Sequence, residues 1–130
     1  MKTGSKEMPW FWAWLVQITV MKNATKKTRV EGEVWKNLII IKAANETEAM
    51  AKAMAIGRRE EGDCDGTLRL NGKPATTKFL GIHNLGVIHE PVEDGAEILW
   101  ELLRMTEEEA QLLVAEPVEL AKSVKRELGK

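Results

Sequence analysis

The run "WFWAWLVQITV" at residues 10–20 limits the possible folds more than any other stretch. Aromatic and β-branched residues dominate it, so residues 10–21 read as a strand. Successive strand side chains point to opposite faces. One face therefore carries Trp10, Trp12, Trp14, Val16, Ile18 and Val20, and the other Phe11, Ala13, Leu15, Gln17, Thr19 and Met21. Both faces are apolar in the first half, and such a strand needs cover on both sides. "VWKNLIIIKA" at 34–43 has the same character around Ile39, Ile40 and Ile41. The two runs predict an antiparallel hairpin whose long tip is the polar, basic connection "KNATKKTRVEG" at 22–32.

The rest of the chain supplies the cover. Asn45 is placed to cap a helix, with Glu48 completing a capping-box-like pattern. "ETEAMAKAMAIGRREEG" follows, with Ala49, Ala53 and Ile56 at helical spacing; Gly57 weakens its end and Gly62 terminates it. Asn71-Gly72 is a hairpin turn, because a tight turn demands positive φ angles. Pro74 has no N–H to donate, so its strand is expected to be an edge or to begin after it. Residues 76–89 read as a strand in which Gly81 and Gly86 mark bulges or close backbone approach. "AEILWELLRM" at 96–105 suits a helix or a strand. The capping box at Thr106–Glu109 starts a helix beyond it, which favours the strand. Helices are expected near 107–115 and 118–128, separated by Pro117; Val118, Ala121, Val124 and Leu128 form a stripe on the second.

The expected fold is thus α+β: an antiparallel sheet in the order ββαβββ, followed by two C-terminal helices. Residues 1–9 form a flexible lead, 10–105 the domain, and 106–130 an extension that packs on the sheet or on a partner. One helix covers only one sheet face. The second face falls to the tail, to a partner subunit or to both. The tryptophans are expected to be mostly core, since large aromatics dominate buried area. Trp12 and Trp14 are assigned there, and Trp10, at the strand entrance, is the candidate for exposure.

Three segments carry a family resemblance: "WFWAWLVQITV", "LIIIKAANETEAMAKAMAIGRRE" and "FLGIHNLGVIHEPVEDGAEI". Together they resemble a small bacterial domain-of-unknown-function family over about residues 10–105. Its members pair a Trp/Phe-rich first strand with an "AxxxxEA" helix start and a later "FxGI…L…I…P…DGxE" segment. The resemblance implies a small α+β domain, and it carries over no activity and no site residues.

Chemistry is sparse. His83 and His89 lie six residues apart, about 20 Å along a strand, too far for one metal ion. "DCDG" at 63–66 lacks the remaining ligands of a calcium loop and reads as a turn. Cys64 has no adjacent activating base in the sequence, and no HExxH, CxxC, GxSxG or phosphate-cradling loop is present. No catalytic residue, metal or cofactor is therefore expected. An enzyme of unknown type ranks last among the readings. A lone cysteine makes no internal disulfide, which points to a reducing cytoplasm. The apolar start imitates a signal peptide, but it alternates and has no cleavage site, and it is too short to span a bilayer as a helix.

The net charge of −1 gives no global pull towards nucleic acid or membrane. Charge is nevertheless segregated. Lys22, Lys26, Lys27 and Arg29 crowd the hairpin tip, whereas residues 90–109 are acidic. The leading expectation is a non-catalytic, homo-oligomeric binding protein, of a size that suits a bacterial or phage accessory such as an immunity or inhibitor protein. The alternative is a small-ligand or nucleotide binder using tryptophan faces and the basic hairpin. Candidate binding residues are Trp10, Lys22, Lys26, Lys27, Arg29, His83 and His89. Expected partners are a second copy, another protein or a nucleotide, and no membrane.

Overall fold

The computed structural model describes residues 8–23 and 32–129. Strand β1 (Trp10–Met21) and strand β2 (Glu33–Lys42) form the expected antiparallel hairpin, in register from Trp10↔Lys42 to Thr19↔Glu33. Helix α1 (Glu46–Arg59) starts where the cap was expected. Asn45 is extended, and its side chain accepts the Glu48 N–H at 2.9 Å, while Glu48 Oε1 accepts the Ala44 N–H at 2.7 Å. Glutamates in the first turn and arginines in the last favour the helix dipole.

Strand β3 (Arg69–Leu70) turns at Asn71-Gly72 into strand β4 (Lys73–Ile88), which pairs antiparallel with the other side of β1. Both turn residues have the positive φ that the hairpin needs, 53° and 78°. The sheet order is β2-β1-β4-β3. The expectation for Pro74 is corrected: its strand is neither an edge nor begins after it, for Pro74 lies inside β4, opposite Arg69 and one residue from the strand's start. It is tolerated there because the β1–β4 pairing ends at Met21↔Ala75, so its missing N–H falls beyond that ladder. Two register shifts interrupt the β1–β4 ladder. They leave His83 and Leu80 without a directly opposed residue, as β-bulges do. Gly81 adjoins the second of these.

Helix α1 covers one face of the sheet. Phe11, Ala13 and Leu15 of β1 are buried there with Ile41, Ala43, Ala49 and Ala53, and Ile39, Ile56, Phe79, Ile82 and Leu85 pack around them. Alanines at the contact let the helix come close. Gly57 takes this furthest: a Cβ there would stand 2.3 Å from the Phe79 ring. The glycine expected to weaken the helix end is thus a buried packing position inside α1.

Two broader expectations are corrected as well. Residues 96–105 are neither strand nor helix. A strand needs a ladder partner, and the backbone bonds here are local: Ala96 N–H to Glu93 O, and Glu97 N–H to the Glu90 carboxylate. The sheet accordingly has four strands among the described residues. The tryptophans are also not the core. Trp10, Trp12 and Trp14 lie on the face opposite α1, and each is half-buried. The helix settles on the phenylalanine-alanine-leucine side, where small residues admit it.

The chain divides into two compact units, Met1–Leu99 and Trp100–Lys130. The second holds helix α2 (Glu107–Gln111) and helix α3 (Pro117–Leu128). The expected capping box opens α2: Thr106 Oγ1 accepts the Glu109 N–H, and Glu109 Oε1 accepts the Thr106 N–H. That helix ends four residues sooner than expected. Pro117 is the first residue of α3, where its missing N–H costs nothing. Neither helix buries a residue.

Candidate interaction surface on the open sheet face

Period-two alternation and the pairing register together define the face that α1 leaves open. Across it, Trp10 stands between Lys42 and Ile88, Trp12 between Ile40 and Gly86, and Trp14 between Leu38 and Asn84. Val16 and Ile18 continue the row, opposite Lys36 and Val34. The flanking β2 residues are open to solvent: Val34 is 59% exposed, Leu38 39% and Ile40 41%.

The register also places the lysines. The Lys42 ammonium lies 5.8 Å from the centroid of its direct partner Trp10, and that of Lys36 lies 5.1 Å from its diagonal neighbour Trp14. Cation–π contacts at such sites contribute about 0.5–1 kcal/mol each. Trp12 needs a different accommodation: a Cβ at Gly86 would stand 2.3 Å from its ring, so the indole lies over the glycine backbone. That is the close approach expected of Gly86.

Electrostatically the sheet is one-sided. Its strands contain Lys36, Lys42, Arg69, Lys73 and Lys78, and a single acidic residue, Glu33. Among the described residues, no acidic residue occupies a paired strand position on the tryptophan face. Apolar surface framed by ammonium groups suits a partner that is apolar and acidic.

The expected site residues do not converge. Trp10 begins β1 and Lys22 follows its other end, roughly 40 Å away at 3.3 Å per residue. Lys22 therefore lies at the far end of the strand from Trp10. Lys22 donates its N–H to Pro74 O, and its ammonium bonds the Asp63 carboxylate. Lys26, Lys27 and Arg29 lie outside the described residues. His83 is exposed at the first bulge, adjoining Asn84, the partner of Trp14; His89 is exposed just past the end of β4. The first bulge and the strand end thus take both histidines out of the regular strand expected to carry them.

"DCDG" forms a turn, as expected. Cys64 and Asp65 both have φ 56°, and the Gly66 N–H donates to Asp63 O at 3.1 Å. The Asp63 carboxyl is held below its ordinary value of 3.8, first by the Lys22 ammonium and next by the Gly66 N–H. Cys64 is exposed and free. No group of three or more potential metal ligands is found among the described residues. A shallow hollow of about 480 Å³ lies beside the first half of α1, lined by Glu46, Thr47, Met50, Ala51 and Leu85. Its polar side chains are Glu46 and Thr47, and the rest of the lining is apolar. No helix among the described residues is long and apolar enough to cross a membrane.

Sequence reasoning missed Lys36, Leu38, Ile40 and Lys42 as surface residues. Their signal was their shared parity in "VWKNLIIIK", which is masked by the unbroken isoleucine run.

Residues 10–100 match the model of a family described as "Domain of unknown function (DUF4288)". No curated protein and no solved structure matches the chain.

Proposed function

This chain belongs to the DUF4288 family, and from that premise we propose that it is a non-catalytic, cytoplasmic interaction domain. Its open sheet face would bind an apolar, acidic protein surface. The observation that carries the reading is the Trp10–Trp12–Trp14 row, half-buried, flanked by exposed Leu38 and Ile40, and framed by lysines with no carboxylate among them. Tryptophans that bury area at little entropic cost are the usual anchors of protein interfaces. Lysines on the rim add steering and choice of partner. The single exposed thiol supports the reducing compartment.

A nucleotide reading would use the same tryptophans. It is weaker, because the rings of Trp10 and Trp14 already carry an ammonium and Lys22 lies at the other end of β1.

The test is a titration followed by tryptophan fluorescence. The probes are an amphipathic Leu/Glu helical peptide, its Leu/Lys counterpart and an oligothymidylate. The Leu/Glu peptide is expected to bind, and the double charge reversal Lys36→Glu, Lys42→Glu to weaken it at least tenfold. Equal binding of both peptides would refute the electrostatic part. Binding of the oligonucleotide alone would replace this reading with the nucleotide one.

A further inference from the structure

Strand β2 is an edge, paired with β1 on one side and with no strand on the other among the described residues. Protected edges carry proline, bulges or outward lysines, or are very short. This one is ten residues long, contains no proline, and pairs with β1 without a register shift. Its own two lysines do not guard it: both ammonium groups lie over tryptophan rings of β1, away from the free edge. Among the described residues, the one lysine on the edge is Lys52 of α1, which meets Lys42 O at the strand's last residue and leaves Val34 to Ile40 uncovered. Val34, Trp35, Leu38 and Ile40 are exposed along it.

We propose that β2 pairs with β2 of a second copy, antiparallel about a two-fold axis at Leu38, joining two four-stranded sheets into one of eight strands. Symmetry and charge select this register. A two-fold axis perpendicular to the sheet pairs residues of equal parity, so that like faces continue each other. Centring on Ile39 would set Lys36 directly opposite Lys42, and facing like charges destabilise a pair. Centring on Asn37 would press the Glu33 carboxylate against Ile41. Centring on Leu38 sets Leu38 against Leu38, Lys36 against Ile40, Lys42 against Val34 and Trp35 against Ile41.

It also sets Glu33 across from the partner's Ala43. Lys52 of α1 stands beside that position, bonded to Lys42 O at 2.7 Å and 3.7 Å from the Glu48 carboxylate, with which it would share the incoming Glu33. The lone acidic residue of the sheet thus meets a lysine at each end of the interface, twice by symmetry. The tryptophan face stays open in this dimer, so the interface and the face proposed above stand or fall separately.

The experiment is native mass spectrometry with oxidative cross-linking at about 50 µM, in the full chain carrying Cys64→Ser. Leu38→Cys is expected to cross-link to itself in high yield, since facing strand residues lie within disulfide reach. Ile40→Cys is expected not to, because its copies would lie about 13 Å apart. Leu38→Lys, with circular dichroism unchanged, is expected to yield a monomer of 14.6 kDa. A parent chain that is monomeric at that concentration overturns the proposal. So does a dimer in which Ile40→Cys cross-links and Leu38→Cys does not, or one that survives Leu38→Lys.

Discussion

At the scale of single residues, the end of β1 shows how one carboxylate ties two segments together. Lys22 is held at the strand end by Pro74 O, and its ammonium bonds Asp63, whose turn is closed by the Gly66 N–H. Both contacts favour the charged carboxylate, so its folded pKa lies below the unfolded one. The stabilisation is therefore complete above the unfolded value of 3.8 and is lost as pH falls through the lower, folded value. Carboxyl NMR is expected to show Asp63 titrating below 3.8, with Lys22→Met moving it back up. An Asp63 that titrates at its ordinary value in the parent chain would contradict the contact. None of this was legible in the sequence. "DCDG" announced a turn, but 41 residues separate Lys22 from Asp63, and the β1–β4 register together with the Gly62–Thr77 bridge brings them together.

At the scale of elements, local chemistry was readable wherever one short motif decides the geometry. Asn45, Asn71-Gly72 and Thr106–Glu109 form the cap, the turn and the capping box that their spacing predicts. What could not be read was which face of β1 the helix takes, because both are apolar. Side-chain size decides it. Ala13, Ala43, Ala49 and Ala53 meet at the helix–sheet contact, and a row of tryptophans would hold a helix away. The same logic yields a prediction against helix propensity. Alanine for glycine within a helix normally gains about 1 kcal/mol. Gly57→Ala is instead expected to destabilise by about 1–2 kcal/mol, since its methyl overlaps the Phe79 ring and overpacking costs about 1–3 kcal/mol. In a Phe79→Leu background the alanine should cost less, giving a coupling of the kind that contacting residues show. Urea denaturation of the four proteins of the cycle measures it. A stabilising Gly57→Ala would mean that the helix does not lie this close.

At the scale of the whole molecule, the two units differ in what holds them. In the first, β1 is paired on both sides and packed against α1, so its amides open only when the sheet does. The second has α2 of five residues and α3 of twelve, with no buried side chain in either. Isolated helices shorter than about 12–15 residues are marginal in water. The proline start and the cation-rich last turn of α3 add only tenths to about 1 kcal/mol. Sequence patterning located both helices but not their burial, because an apolar stripe such as Val118, Val124 and Leu128 looks the same with or without cover. Native-state hydrogen exchange separates the cases. Amides of β1 between Phe11 and Thr19 are expected to exchange at least a thousandfold more slowly than those of α3. Exchange of α3 should lie within about tenfold of an unstructured chain and be indifferent to small urea additions, as local fraying is. Protection in α3 equal to that in β1, falling with urea at the same slope, would show that the second unit opens together with the sheet.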